Sequence, residues 1–343
     1  METRDLIREL STLGGPSGFE EPAAKRIAEI LAPLADEVKT DVMGNVIAVK
    51  RCGVSGAKRL MLEAHMDEIG LIVTGYDKGF LRFSTLGGLD NRMLPALEVR
   101  VLADEKTYYG VIDTMPPHVL TADEMDKAFA ADKLRINVGL SEEAAKASIP
   151  LGTPVVFASG CTELGESRLC GKSLDDRACV AIIIKALEAV QNDKLDMDLI
   201  LMVSTQEEVG GRGATTGTFA MEPDYAVAVD VTHAETPDAK KGETLRMCGG
   251  PAIGVGPNMN HNITNALIGL AKEKNWPYQI EVMRGSSGTD GWEIQVSREG
   301  VSTAVVSLPL RYMHTPVEVI DLEDAEGIIR LLAELVRRAG EVL

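Results

Sequence analysis

Short apolar runs that stop at acidic or imidazole residues recur along this chain. Leu199-Ile-Leu-Met-Val-Ser-Thr leads into Gln206-Glu207-Glu208-Val-Gly-Gly, and Arg59-Leu-Met-Leu-Glu-Ala into His65-Met66-Asp67-Glu68. Tyr225-Ala-Val-Ala-Val stops at Asp230-Val-Thr-His233, and Thr303-Ala-Val-Val-Ser-Leu-Pro-Leu at Arg311-Tyr-Met-His314. Runs this short, bounded by turn residues, predict buried strands. Between them, Leu174-Asp175-Asp176-Arg177 opens a run rich in alanine and isoleucine, from Ala178 to Val190, that predicts a helix. Parallel strands gather their carboxyl ends on one rim, which is where ligands bind in open α/β sheets. His65, Asp175, Glu208, Asp230 and His314 are thus expected at element ends, nearly all at strand ends on that rim.

Elsewhere the pattern divides the chain. Ile27, Ile30, Leu31 and Leu34 recur at helical spacing, with Pro33 marking the end, and Gly44-Asn45 turns into the strand Val46-Ile-Ala-Val. After about residue 69 the runs become short and β-branched, separated by Gly and Asp. They are Leu71-Ile-Val-Thr, Gly79-Phe-Leu-Arg-Phe-Ser, Leu97-Glu-Val-Arg-Val-Leu, Thr107-Tyr-Tyr-Gly-Val-Ile, Leu134-Arg-Ile-Asn-Val and Pro154-Val-Val-Phe, with a helix expected over Ala122–Asp132. That texture predicts a small β-barrel or sandwich. The α/β rhythm then returns and ends in a helix capped by Asp321, with Ile328, Leu332, Leu335 and Val336 on one face. The expectation is an α/β domain (1–68 and 161–343) split by an inserted β-barrel domain (69–160).

Composition narrows the function classes. With 45% hydrophobic and 25% charged residues among 343, the chain is that of an ordinary soluble globular protein. A net charge of −17 argues against nucleic acid, whose phosphates call for Lys and Arg clusters. No signal-like segment opens the sequence, and no apolar stretch approaches the ~20 residues that cross a bilayer. Five scattered cysteines without a C-x-x-C pair suit a reducing cytoplasm, and the spacing of Cys161 and Cys170 matches no zinc motif.

The chemistry therefore rests on imidazole and carboxylate. Such sets, without sulfur, favour catalytic zinc, cobalt or manganese over a structural zinc. Two histidines and three carboxylates suit a pair of metals sharing one bridging carboxylate, for which Asp175 is the choice. Paired ions can clamp an attacking water and a polarised carbonyl. Asp67, two residues after His65, suits a carboxylate that fixes the imidazole tautomer. Consecutive residues diverge, so Glu207 can stay free as a general base while Glu208 binds metal. The glycine-rich loop Arg284-Gly-Ser-Ser-Gly288-Thr289-Asp290 can line a side-chain pocket, where Arg284 would favour acidic groups.

His65-Met-Asp-Glu-Ile-Gly, Leu174-Asp-Asp-Arg, Gln206-Glu-Glu-Val-Gly, Val229-Asp-Val-Thr-His and Tyr312-Met-His-Thr-Pro together resemble the motif series of the tetrahedral (TET) dinuclear metal aminopeptidases. That family includes glutamyl and deblocking aminopeptidases and relatives labelled endoglucanases. The likeness covers nearly the whole chain, including Gly15-Pro-Ser-Gly-Phe-Glu and Asp41-Val-Met-Gly-Asn. It departs mildly at Gly291-Trp292, where alanine is expected, and at Cys179. The resemblance implies a mixed-sheet, phosphorylase/hydrolase-like di-zinc peptidase domain that releases N-terminal residues from short peptides. His65 and Asp230 would hold one metal, Glu208 and His314 the other, with Asp175 between them. Glu207 would be the base, Asp67 would partner His65, and the Asp175–Asp176 bond would be cis. The inserted domain would mediate assembly, from dimers to a hollow tetrahedral dodecamer, and His118 resembles a loop residue that reaches a neighbouring subunit's site. An N-acyl amino acid deacylase or a carboxypeptidase on the same scaffold is the near alternative. A glycoside hydrolase is the remoter one, since it leaves the histidines without a role.

Overall fold

The computed structural model describes residues 1–121, 127–240, 242 and 244–343. The amino-terminal part holds α1 (Thr3–Thr12), α2 (Glu21–Leu31), β1 (Glu37–Thr40), β2 (Val46–Lys50) and β3 (Arg59–His65). Six short strands follow: β4 (Gly70–Asp77), β5 (Phe80–Leu86), β6 (Glu98–Leu102), β7 (Thr107–Ile112), β8 (Ile136–Asn137) and, after α3 (Glu142–Ser148), β9 (Pro154–Phe157). The remainder comprises β10 (Thr162–Leu164), β11 (Arg168–Gly171), α4 (Leu174–Ala189), β12 (Asp198–Ser204), α5 (Arg212–Met221), β13 (Tyr225–His233) and β14 (Ala252–Val255). It ends with α6 (His261–Glu273), β15 (Gln279–Val282), α7 (Gly291–Ile294), β16 (Ser302–Arg311), β17 (Glu318–Asp321), α8 (Leu322–Arg337) and the short α9 (Ala339–Val342).

A mixed sheet in the order β1-β2-β12-β3-β13-β16-β17-β11-β10 forms the body, with β14 attached to β16 and β15 to β14. Its centre, β12-β3-β13-β16, is wholly parallel. Strands buried on both faces read as unbroken apolar runs, which explains the pattern along the sequence. Leu60, Leu62, Val227, Val229 and Val231 pack on one face against α1, α4 and α8. Met61, Met202, Ala226, Ala228 and Val305 pack on the other with Met259, Met283 and Ile294. Helix α4 is buried along almost its whole length, and α8 is capped as expected, Asp321 accepting the Glu323 N–H at 3.1 Å.

The strands between Gly70 and Phe157 close into a barrel, β4-β5-β8-β7-β6-β9, around Leu71, Val73, Leu81, Val99, Val101, Ile136 and Val155. Closure leaves no strand edge to aggregate. The helix expected over Ala122–Asp132 lies partly outside the described residues, and its described end is only a turn of 3-10 helix at Ala131–Lys133. Helix α3, which the pattern did not announce, is capped by Ser141, whose hydroxyl accepts the Ala144 N–H. Among the described residues no helix is long and apolar enough to cross a membrane.

Candidate metal centre

The parallel strands bring the candidate residues to one rim. His65 is the last residue of β3, in register with Ser204, the last of β12. Glu207 and Glu208 follow Ser204 through a turn in which Gln206 takes a φ of 58°. His314 stands beyond β16, where Tyr312 and His314 have φ of 61° and 60°. Asp230 departs from expectation: it lies inside β13, which runs on to His233 because Val231 still packs into the core. Asp175 and Asp176 are also not helical, with ψ of 105° and 21°, and the peptide bond between them is cis. The regular helix therefore begins only after them.

Two ligand sets share one carboxylate. His65, Asp175 and Asp230 place donor atoms within 4.8 Å of one another, and so do Asp175, Glu208 and His314. Asp175 Oδ1 lies 3.2 Å from His65 Nε2, and its Oδ2 lies 3.4 Å from His314 Nε2. His314 Nε2 is also 3.3 Å from Glu208 Oε1. Each oxygen of Asp175 thus faces a different imidazole, the arrangement a bridging ligand needs. Glu207 belongs to neither set, its carboxylate approaching His65 Nε2 at 4.0 Å. Imidazole and carboxylate donors without thiolate suit a divalent first-row metal, so the residues fit a two-ion centre.

Asp67 ties the pieces together from beneath. It faces His65 Nδ1 at 3.5 Å, accepts the Glu207 N–H at 2.9 Å and the Glu208 N–H at 3.2 Å, and receives the Ser17 hydroxyl at 2.6 Å. The sequence reading missed a second brace, Glu318. It is buried and accepts the backbone N–H groups of Leu174 (2.8 Å), Asp175 (3.1 Å) and His314 (3.0 Å). A third buried group links Glu68 to Lys172 at 2.7 Å and to Arg177 at 3.4 Å, while Arg177 also donates to the carbonyls of Leu10, Leu13, Gly15 and Met66. The signal for each was an ionisable residue inside or beside an apolar run, as in Val317-Glu318-Val319-Ile320.

The barrel also reaches the centre. A Cβ built on Gly87, whose φ is +79°, would lie 3.0 Å from Glu208 Oε2, and one on Gly88 would lie 3.2 Å from His314 Nδ1. Only glycine lets this loop approach both ligands so closely. Of the candidate pocket residues, Thr289 and Asp290 are buried; Ser204 Oγ lies 2.6 Å from Asp290 and 2.8 Å from Glu63, just behind the centre. Arg284, Gly288 and His118 are exposed and take no part in the contacts that link the cluster. A separate cleft of about 1160 Å³ between α2 and the barrel contains none of the cluster residues. Cys248, Asp321 and Glu323 also converge, but Asp321 already serves Ser167, Arg168, Cys248 and the α8 cap.

Crowding so many acids in a buried site shifts their protonation. Burial pushes Glu207 up to about 9 and Asp230 up to about 8, and neighbouring carboxylates add to both. Hydrogen bonds to Asp175 and Glu208 raise His314 to about 11. Burial opposes a charge on His65, yet hydrogen bonds to Asp175 and Asp67 outweigh it and hold the imidazole well above its usual range. These carboxylates and imidazolium groups share protons where two cations would otherwise balance them.

The fold and the two candidate ligand sets agree with the class of peptide hydrolase to which the chain's relatives belong. The chain matches the family described as M42 glutamyl aminopeptidase over residues 44–331, and it belongs to that family. It is similar to a lysyl aminopeptidase of Pyrococcus furiosus, with 37% identity over 336 residues and 96% of each chain covered. Among solved structures, it is similar to the aminopeptidase APDkam598 of Desulfurococcus kamchatkensis (37% identity, TM-score 0.90), covering 98% of this chain and 94% of that one. It is also similar to the Pyrococcus horikoshii TET1 peptidase (28% identity, TM-score 0.87), covering 98% and 99%, respectively. That peptidase is described as assembling into a tetrahedron or a large octahedral shell.

Proposed function

We propose that this chain is a dinuclear metal-dependent aminopeptidase that releases N-terminal residues from short peptides. The observation that carries the reading is Asp175, whose two oxygens face two imidazoles belonging to separate ligand sets. His65 and Asp230 would hold one divalent ion and Glu208 and His314 the other, with Asp175 bridging; zinc or cobalt suits these donors, and manganese is accommodated. When bound, the ions would polarise the scissile carbonyl and lower the pKa of the attacking water.

The protein's own groups supply the rest. Glu207 is aimed at the cluster but belongs to neither ligand set, so it accepts the proton of the attacking water and returns it to the leaving amine. Asp67 fixes the His65 ring and the backbone of both glutamates, keeping base and ligands in one frame. The peptide's free amino group docks against the carboxylates of the cluster. Residues 1–68 and 161–343 act as the catalytic unit, and the barrel unit 69–160 mediates assembly of dimers into a tetrahedral dodecamer in the cytoplasm.

The test is to assay chelated protein on free-amino aminoacyl anilides and on their N-acetylated counterparts, adding back zinc, cobalt or manganese. Metal-restored release from the free-amino set alone is expected. Metal-restored loss of acetate from the blocked set, with no anilide released from the free-amino set, would replace the reading with a deacylase. Sedimentation of the reconstituted protein reads the assembly, for which a dodecamer is expected.

A further inference from the structure

The face of the sheet that carries Asp230 also holds a charge the chemistry above leaves unused. Alternation along β13 places Asp230 and Thr232 on the side of Ala226 and Ala228. Ser307 stands opposite Asp230 in the adjoining strand β16. Glu281, on the outlying strand β15, reaches over to both: its Oε2 accepts Ser307 Oγ at 2.8 Å and its Oε1 accepts Thr232 Oγ1 at 2.5 Å. Its neighbour in register on the intervening strand β14 is Gly254, which puts no side chain in the way.

Strand geometry sets the reach. Adjacent strands lie about 4.8 Å apart, and residues two apart on one strand about 6.6 Å. The Glu281 carboxylate, bonded to Thr232 and Ser307, is therefore about one long side chain from Asp230. Its partners among the described residues are hydroxyls, which use two of the roughly four lone-pair positions a carboxylate offers. An acid held in place by two hydroxyl donors, with acceptor capacity left over, can receive a positive charge. The loop that continues from β15 leads to Thr289 and Asp290, both buried, and Asp290 is one of the carboxylates that act on Asp230.

We propose that Glu281 is the specificity-determining acid of the pocket that takes the side chain of the substrate's N-terminal residue, and that the pocket selects lysine and arginine. The assignment rests on the aminopeptidase reading above. With the amino group docked at the cluster, a lysine's four-carbon stem spans the gap and sets its ammonium against Glu281. Leucine falls short of it, and glutamate meets like charge.

The test pairs kinetics with equilibrium binding. The metal-reconstituted enzyme is assayed on lysine, norleucine, leucine and glutamate p-nitroanilides, and lysinamide and norleucinamide are titrated calorimetrically, which needs no turnover. Norleucine carries lysine's stem without its charge. Wild type is expected to favour lysine over norleucine by about tenfold or more, as befits a hydrogen bond to a charged group. Glu281→Gln should collapse that ratio, mostly through KM, while Glu281→Asp retains most of it. A wild-type ratio near one, or a ratio unmoved by Glu281→Gln, overturns the assignment, and the wild-type ratio stands whether or not a variant folds. Release without discrimination sinks the pocket and leaves the aminopeptidase; selective lysinamide binding without release does the reverse. Neither binding preference nor release overturns both.

Discussion

The backbone N–H of Glu207 donates to Asp67 Oδ1 at 2.9 Å, so the carboxylate that faces the His65 ring also fixes the residue proposed to move the proton. An amide at this position would turn its NH₂ against one of the two glutamate N–H groups, because each oxygen of Asp67 accepts one of them. Asp67→Asn is therefore expected to weaken metal affinity by about 10–100-fold and to lower kcat together with it. Metal titration alongside steady-state kinetics checks this; unchanged affinity would remove Asp67 from its bracing role.

Glu207 is expected to behave differently because it belongs to neither candidate ligand set. Glu207→Gln keeps the shape and removes the base, so kcat should fall by about 10²–10⁴-fold with metal content intact. Elemental analysis of the purified variant separates this outcome from loss of the centre. Substantial residual turnover would move the proton transfer to another group.

Glu318 should act on one ligand set more than the other. Its Oε2 accepts two N–H groups, from Leu174 and Asp175, and its Oε1 accepts one, from His314. In Glu318→Gln the amide oxygen satisfies the pair, leaving the NH₂ against the His314 N–H. His314 already holds a φ of 60°, which costs energy for a bulky residue. Calorimetry of the variant is expected to show one tight metal and a second weakened by roughly tenfold or more. Equal weakening of both would deny the asymmetry.

Metal binding should expel protons. In the metal-free protein His314 is raised to about 11 by its hydrogen bonds to Asp175 and Glu208, and Asp230 to about 8 by burial, so both carry protons at pH 7. Ligands bind metal only when deprotonated. Affinity should therefore rise with pH from 6 to 8, and titrations in buffers of different ionisation enthalpy should report net proton release. Uptake without release would mean that the acids already stand ionised.

Much of this was legible in the sequence for a simple reason. A parallel strand buried on both faces has no polar positions of its own, so the polar residue that ends the run stands out, as His65 and Glu208 do. The rule failed at Asp230, because an acid was taken as the end of a strand that Val231 continues into the core. The barrel strands were readable from their Gly and Asp punctuation, although β8 keeps only Ile136–Asn137 of its expected run. Glu318, Glu68, Lys172 and Arg177 were missed together. A lone charge reads as solvated, and nothing local announces a partner such as Lys172 for Glu68, 104 residues away. Glu281 was silent for the same reason, its two hydroxyl partners lying on other strands.

The proposed ligands are strung from His65 to His314, and the set that contains His314 is completed only by that residue, just beyond β16. A chain still being synthesised holds the carboxylates of that set without the histidine, and lacks β16, on which the neighbouring strand rests. The proposed centre would therefore stay incomplete until β16 and the turn beyond it are in place.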